Sequence, residues 1–266
     1  MADLRPYLHL ARIQARAQAS YRASFVIDLF VSIFATGFEI LTVLVFFRGT
    51  TSIGGFTIRE TMVITGLCAA GFAIADAFVG GVDRLSNYVR NGHFDAMLLR
   101  PLRPLPQLLL AELPLRKITR VALGVLVLVV ALLAAPITWT PGRIVLAVVA
   151  PLAASVFYSA IFVATASISF WWIESGEAGN ALTYGGRDLT TYPMTIYGTL
   201  FRRVLGFGLG FAFVTYYPAL ALLGRPDPLG LPSWVGWTSP ISAVVVALAA
   251  AAIWRLGITR YRSTGS

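Results

Sequence analysis

Four charged residues lie inside long apolar runs of the sequence. Asp28 and Glu39 lie in the first run, Asp76 in the second and Arg120 in the third. A charge at membrane depth is costly unless it meets a partner or water, so these are the candidate intramembrane polar residues. Asp76 and Arg120 have similar depths, which predicts either an ion pair or a polar lining of an inner vestibule. Asp28 and Glu39 are 11 residues apart, close to three helical turns, so we expect both on one face that contacts protein or a cavity.

The chain lacks the residue patterns of common catalytic and metal sites. Its only lysine is Lys117, so no glycine-rich loop ending in Gly-Lys-Ser/Thr is available to bind nucleotide phosphates. The two histidines, His9 and His93, have no cysteine partners at metal-ligand spacing. Cys68, the single cysteine, is expected to be a small buried side chain. We therefore expect no catalytic residue, metal site or cofactor in this chain, and no ATP hydrolysis by the chain alone.

The composition is that of a polytopic membrane protein. Hydrophobic residues make up 57% of the chain and charged residues 12%, and the net charge of +9 comes from arginines that flank apolar runs, which indicates membrane topology and not nucleic-acid binding. We predict an all-α fold in which residues 24–266 form one six-helix transmembrane domain. The six runs long enough to cross a hydrocarbon core are 25–47, 62–82, 118–137, 144–170, 204–223 and 237–254.

The positive residues predict the orientation of these spans. Residues 1–23 place Arg5, His9, Arg12 and Arg16 on one side of a helix, which predicts an amphipathic helix on the inner leaflet. Seventeen of the 21 lysine and arginine residues fall in the N-terminal segment, the second loop, the fourth loop and the tail, and four fall in the other loops. By the positive-inside rule both termini are cytoplasmic.

Residues 82–104, here called the 82–104 stretch, contain the richest local mix of charge between two apolar runs. Their spacing predicts a helix with an apolar face, a break at Gly92, and a second short helix that ends before Pro101. We interpret the stretch as a docking element, although a surface helix lying in the headgroups would show the same periodicity. We expect the first apolar face to anchor the stretch, the second helix to offer apolar side chains to a partner, and charges to form the rim, with Asp95 alternatively capping the second helix. The candidate docking residues are Val82, Leu85, Val89, Arg90, Gly92, His93, Phe94, Asp95, Met97, Leu98 and Arg100.

Two further segments carry weaker signals. Gly206 and Gly210 are spaced for close helix packing in the fifth predicted span, either within the subunit or across a dimer. Residues 174–203 are predicted to form a cytoplasmic loop with a glycine turn at 184–188 and an interfacial re-entry, and they are a second candidate contact for a partner.

Four segments resemble the small six-helix permeases of ABC-2-type ABC transporters. They are residues 84–102 (RLSNYVRNGHFDAMLLRPL), 192–197 (YPMTIY), 215–225 (TYYPALALLGR) and 254–266 (WRLGITRYRSTGS). The resemblance implies a partner ATPase with two nucleotide sites that binds ATP and Mg²⁺, and a dimer of permeases formed with a second copy or a related chain. It also implies a coupling helix in the loop between helices two and three, and an amphipathic helix before helix one.

Together with the membrane composition and the 82–104 stretch, the resemblance implies a permease subunit of an ATP-driven exporter in a bacterial plasma (inner) membrane. We expect efflux of a hydrophobic or amphipathic substrate, driven by ATP hydrolysis in separate cytoplasmic subunits docked on the 82–104 stretch. Two alternatives remain open at this point. One is an ATP-independent carrier or channel that uses Asp28, Glu39 and Asp76 as ion or proton sites, and the other is a membrane scaffold that transports nothing.

Overall fold

The computed structural model describes residues 22–111 and 117–262, and its regular structure there is helical apart from one β-bridge between Ile53 and Phe56. Most of the amphipathic helix predicted for residues 1–23 lies outside the described residues. The helices are α1 (Arg22–Phe46), α2 (Ile58–Phe78), α3 (Leu85–Arg90), α4 (His93–Leu98), α5 (Pro104–Ala111), α6 (Ile118–Ala134), α7 (Pro141–Ser167), α8 (Gly176–Thr191), α9 (Thr199–Phe201), α10 (Tyr216–Leu223) and α11 (Ser239–Arg260).

Among the described residues, four helices are long and apolar enough to cross a membrane: α1, α2, α7 and α11. They confirm a multi-pass helical membrane protein. Helix α6 is apolar but has only 17 residues, which at about 1.5 Å per residue reaches the lower limit for a span. The fifth predicted span has a different shape, as described below.

Helix α7 lies at the centre, packed against α2 and α11, while α2 also packs along α6. The contact between α2 and α6 depends on two glycines. A Cβ atom on Gly66 would lie 2.8 Å from the Leu128 backbone, and one on Gly124 would lie 2.8 Å from the Ala69 carbonyl oxygen. Small residues let helix backbones approach closely in a membrane, so this pair sets the distance between the two helices.

The predicted span 204–223 is wrong, because the chain bends back in this region. The helical segments Thr199–Gly208 and Phe211–Leu223 meet at 68°, and Gly210 at the bend has a φ of +87°. Thr195 before the bend donates to the Gly54 carbonyl at 2.8 Å, and Arg225 after it donates to the Gly55 carbonyl at 3.0 Å. Both ends of residues 195–225 therefore meet the same loop between α1 and α2, so the segment enters and leaves the bundle on one side.

We call the side with that loop the Glu60 end, because Glu60 in the first turn of α2 binds Arg225 at 2.7 Å. The opposite side, where α2 finishes, is the Asp76 end. Helix α8 connects the two. Its first residue, Gly176, lies against Ser86 at the Asp76 end, Thr191 at its last turn lies against Thr65 of α2, and Thr195 reaches the Glu60 end.

The interpretation of residues 174–203 as a cytoplasmic loop with a glycine turn at 184–188 is therefore wrong. Those glycines lie inside α8, a 16-residue helix that packs on α2 and α7. The segment has no apolar run, so its sequence gives no span signal. It is accommodated because its buried polar groups have hydrogen-bond partners inside the bundle.

Candidate functional site: the 82–104 stretch and the polar helix α8

The 82–104 stretch folds as a chain of short helices at the Asp76 end. A 3₁₀-helix at Gly80–Arg84 leads into α3, and α4 begins after Gly92, whose φ of +69° permits the break. The predicted break and the second helix are therefore present, although the first helix is divided into two. Gln107 of α5 donates to the carbonyls of Met97 at 3.2 Å and Leu102 at 2.9 Å, which fixes the end of α4.

The first apolar face of the stretch is buried as predicted, with Val82, Leu85 and Val89 in one core cluster with residues of α7. Phe94 lies in the same cluster, fully buried, with its ring 5.2 Å from the rings of Phe170 and Tyr261. These rings belong to the chain segments that directly follow α7 and α11. Phe94 is thus an internal clamp between α4 and the ends of two long helices.

The expectation that Phe94 and Met97 project outward to a partner is wrong, because both side chains are buried within the subunit. Their helical spacing predicts an apolar face, but it does not show whether that face packs into the subunit's own core or into a groove on a partner. The large apolar side chains of the stretch that face outward are Leu98 and Leu99, and Leu99 is 88% exposed.

The polar side chains of the stretch surround this exposed pair in the sequence. Of the charges expected at the rim, Arg90 and Arg100 are exposed and Asp95 is partly buried, and His93 is exposed as well. Helix α4 begins after Gly92, which has no side chain that could cap it, and the alternative role of Asp95 as a helix cap stays a prediction. Burial and the negative charge of Asp95 raise the pKa of Tyr261 to about 12. Asp95 therefore interacts with Tyr261, one of the two rings that contact Phe94.

Asp76 forms an ion-pair cluster at the Asp76 end. Its carboxylate is 1% exposed and lies 2.9 Å from Arg120 Nη1, so the ion pair expected from the sequence is present. Lys117, which sequence reasoning did not assign, binds the other carboxylate oxygen at 2.6 Å. A Cβ on Gly80 would overlap Asp76 Oδ1, so a larger residue there would have to displace the paired carboxylate. The cluster joins α2 to the start of α6 and lies beside the 3₁₀-helix at Gly80–Arg84.

A second carboxylate, Asp83, links this cluster to α8. Tyr184 of α8 donates its hydroxyl hydrogen to Asp83 Oδ2 at 3.3 Å. Burial raises the pKa of Asp83 to about 6, with a further contribution from the charge of Asp76. The 3₁₀-helix that begins the 82–104 stretch is therefore attached directly to the polar helix.

Glu39 binds Arg187 of α8, whose Nη2 lies 2.8 Å and 2.7 Å from the two carboxylate oxygens. The guanidinium also lies over the ring of Phe72, 5.3 Å from its centroid. Asp28 is partly buried on the same helix, whereas Phe34 and Phe38 are exposed, so the carboxylate face of α1 does turn toward protein. Sequence reasoning missed Arg187 because its segment was taken for a loop.

The buried end of α8 is held by hydroxyl and thiol groups from other parts of the chain. The last carbonyls of a helix have no partner within it, and in a membrane they need one. Thr65 donates to the Thr191 carbonyl at 3.0 Å and Thr215 to the Thr190 carbonyl at 3.1 Å. Cys68 Sγ lies 3.5 Å from the Arg187 carbonyl oxygen, so the cysteine is buried as predicted but has polar neighbours. The sequence signal for these contacts was that Thr65, Cys68 and Thr215 are polar side chains within apolar runs.

Another face of α8 is exposed on the surface of the subunit. It carries Glu177, Tyr184 and Asp188, spaced by seven and four residues, and Asp188 is 72% exposed. We call these three residues the α8 stripe. An exposed carboxylate within a segment that runs through the bundle is costly against lipid. The stripe therefore favours water or another protein surface over acyl chains.

Gly206 and Gly210 do not form one packing face, because the helix breaks between them. A Cβ on Gly206 would lie 3.3 Å from Met194 Sδ, and one on Gly210 would lie 3.2 Å from Ser242 Oγ. Both contacts are within the subunit, which was one of the two expected arrangements. In the described ranges 22–111 and 117–262, no group of three or more His, Cys, Asp or Glu residues could hold a metal ion.

The fold and these polar contacts define a multi-pass α-helical membrane protein with a polar helix inside its bundle. Residues 33–265 match the family described as ABC-2 family transporter protein, and the chain belongs to this family. Its membrane proteins are permeases, generally non-catalytic transporter subunits that typically work with ATPase subunits. No curated protein gives a significant match to the chain.

Proposed function

We propose that this chain is the permease subunit of an ATP-driven exporter, which moves a hydrophobic or amphipathic substrate outward. ATP and Mg²⁺ are bound by separate cytoplasmic ATPase subunits that dock on the 82–104 stretch. The single observation that carries the proposal is the Phe94 clamp. It joins a helix with an exposed apolar end, at Leu98 and Leu99, to the ends of α7 and α11.

The clamp supports a mechanical role because protein interiors are close-packed and transmit strain. Phe170 lies 5.2 Å from Phe94 on one side and 5.2 Å from Trp254 of α11 on the other, by ring centroids. A partner that displaces α4 must therefore move these rings or open a void beside them. Movement of a docked ATPase is therefore transmitted to α7 and α11 through these buried rings, and the ATPase does not need to contact α7 itself.

The docking surface combines exposed leucines with positive charge. Arg84, Arg90, Arg100 and Arg103 are all exposed in the same stretch as Leu99. An ATPase groove that accepts the leucines and has acidic residues at its rim would match this surface. The central apolar contact would supply most of the binding free energy, and the arginines would mainly favour encounter.

Six crossings are proposed: α1, α2, α6, α7, α8 with the residues that follow it, and α11. The bent segment 195–225 then re-enters from the outside, which moves Arg202 and Arg203 to the outer side and leaves Arg187 inside the bundle. Of the 21 lysine and arginine residues, 14 remain on the side of the 82–104 stretch and six lie opposite. The bias still supports cytoplasmic termini in a bacterial plasma membrane.

A second permease, either another copy or a related chain, is proposed to face the α8 stripe. Asp188 forms a 3.3 Å ion pair with Arg187 but remains 72% exposed, and this exposure supports a water-containing pathway between two subunits, because contact with lipid would be costly for the carboxylate. The ATP-independent carrier has less support. Two of the three acids that it would use, Glu39 and Asp76, are already held in ion pairs.

The test is recovery of an ATPase with the chain purified from its own host in mild detergent. Leu99→Ser should lower that recovery about tenfold, the effect of losing a central apolar contact. Leu231→Ser, which changes an exposed leucine at the Glu60 end, is the matched control and should have no effect. Equal recovery with both variants would contradict docking at this surface. Substrate transport by the purified chain without any ATPase would favour the carrier.

A further inference from the structure

A cavity of about 760 Å³ opens at the Glu60 end, away from the 82–104 stretch. Three chain segments build its walls: the connection from α6 into α7, the end of α10, and the residues that precede α11. Trp234 and Trp237 contribute to the wall and are both about half exposed or more. A Cβ on Gly142 would lie 3.1 Å from the Trp237 ring, so this indole covers the first turn of α7.

Arg143 places a positive charge in the cavity. Its Nη1 donates to the carbonyl oxygen of Thr138 at 2.7 Å and to the Thr138 hydroxyl. In the ranges 22–111 and 117–262, no carboxylate lies within ion-pair distance of its guanidinium. Arg143 also lies in the first turn of α7, which contains no acidic residue. The positive end of the helix dipole therefore adds to the charge of the arginine.

The other charges that line the cavity are already satisfied. Arg225 binds Glu60 at 2.7 Å and the Gly55 carbonyl at 3.0 Å. Asp227 accepts four hydrogen bonds, from the hydroxyls of Tyr216 and Tyr217 and from two backbone amides. Asp227 thus shapes the loop that forms the wall. Among the charged residues that line the cavity, Arg143 is therefore the cation that can form an ion pair with an incoming anion.

We propose that this cavity binds the phosphate of a phospholipid headgroup in the outer leaflet. Arg143 would hold the phosphate, since guanidinium donors bind such oxygens in charge-assisted hydrogen bonds. Trp234 and Trp237 favour the membrane-water interface, which is where that phosphate lies. The volume exceeds that of an inorganic phosphate and suits a headgroup with its glycerol. The assignment to the outer leaflet rests on the proposed orientation of the chain, whereas phosphate binding between α7 and α10 does not depend on ATPase docking.

The experiment counts lipids bound to the purified full chain by native mass spectrometry. Phosphatidylglycerol is titrated against galactosyl diacylglycerol, which has no phosphate. We expect the wild-type chain to bind one phosphatidylglycerol about tenfold more tightly than the galactolipid, and Arg143→Gln to lose this preference, since a charge-assisted hydrogen bond is removed. Arg143→Lys should retain part of it. Arg48→Gln, at an exposed arginine of the α1–α2 loop, is the control and should retain all of it.

Two outcomes would overturn the proposal. One is an unchanged preference in Arg143→Gln, and the other is a wild-type chain that shows no preference between the two lipids. The unfolding temperature of Arg143→Gln without lipid shows whether this variant folds. If it does not fold, the comparison of the two lipids with the wild-type chain still tests the proposal. A third arm adds inorganic phosphate at millimolar concentration. If the phosphate displaces the lipid fully, the cavity is a site for soluble anions, and the headgroup assignment is wrong.

Discussion

The Asp76 cluster should respond unequally to loss of its two cations. Asp76 is 1% exposed, Lys117 25% and Arg120 44%. Asp76→Asn leaves two cations without their carboxylate partner. It should lower the free energy of unfolding by about 3 kcal/mol, which is the low end of the cost of breaking a buried ion pair. Lys117→Gln leaves the carboxylate with one partner and should cost about 2 kcal/mol. Arg120→Gln should cost about 1 kcal/mol or less, because water already screens nearly half of this side chain.

A double-mutant cycle separates the pairwise terms. The assay is reversible unfolding in mixed micelles, with Asp76→Asn combined in turn with Lys117→Gln and Arg120→Gln. Each double variant should lose less stability than the sum of its single variants. The coupling should be about 1 to 3 kcal/mol for Lys117 and smaller for Arg120. Glu177→Gln, which removes an exposed carboxylate of α8, is the control and should change stability by less than about 0.5 kcal/mol.

Two results would refute this reasoning. Losses that add to within about 0.5 kcal/mol would show that the ion pairs contribute nothing as pairs. A larger coupling for Arg120 than for Lys117 would show that burial does not rank the partners. In the first case the cluster would be a polar lining and not the structural connection between α2 and α6.

The remaining predictions concern the Phe94 clamp, Asp83 and the bent segment. Phe94→Ala should lower the free energy of unfolding by about 3 to 5 kcal/mol because it empties a buried site, whereas Leu99→Ala should change it by less than about 0.5 kcal/mol; equal effects in the same unfolding assay would contradict the clamp. Because burial raises the pKa of Asp83 to about 6, the folded protein binds a proton that the unfolded chain releases near the ordinary value of 3.8, so stability should fall as pH rises from about 4 to 6. Unfolding temperatures at pH 5 and pH 7 should differ less in Asp83→Asn, and an unchanged difference would remove Asp83 as the cause. Cysteines introduced at Thr199 and Asn91 should react with an impermeant thiol reagent from opposite sides of the membrane, and labelling from one side would contradict the re-entrant path.

Much of the fold followed from local sequence properties. Apolar runs of sufficient length identified α1, α2, α7 and α11, since burial of hydrophobic side chains in lipid depends on composition and length. The helix, break and short helix of the 82–104 stretch followed from periodicity and from Gly92. The pairing of Asp76 with Arg120 followed from opposite charges at similar depth, which is also a local property of the two runs.

The tertiary structure alone decided the remaining features of the site. Helix α8 has no apolar run, and it lies in the bundle because Thr65, Cys68 and Thr215 supply hydrogen bonds from distant parts of the chain. The bent segment is as apolar as a span, and only its contacts at Gly54 and Gly55 show that both its ends lie on one side. Local sequence patterns indicate whether burial of a side chain is favourable, but they do not indicate which residues it will contact once buried. Polar partners within a membrane protein are chosen by the packing of whole helices.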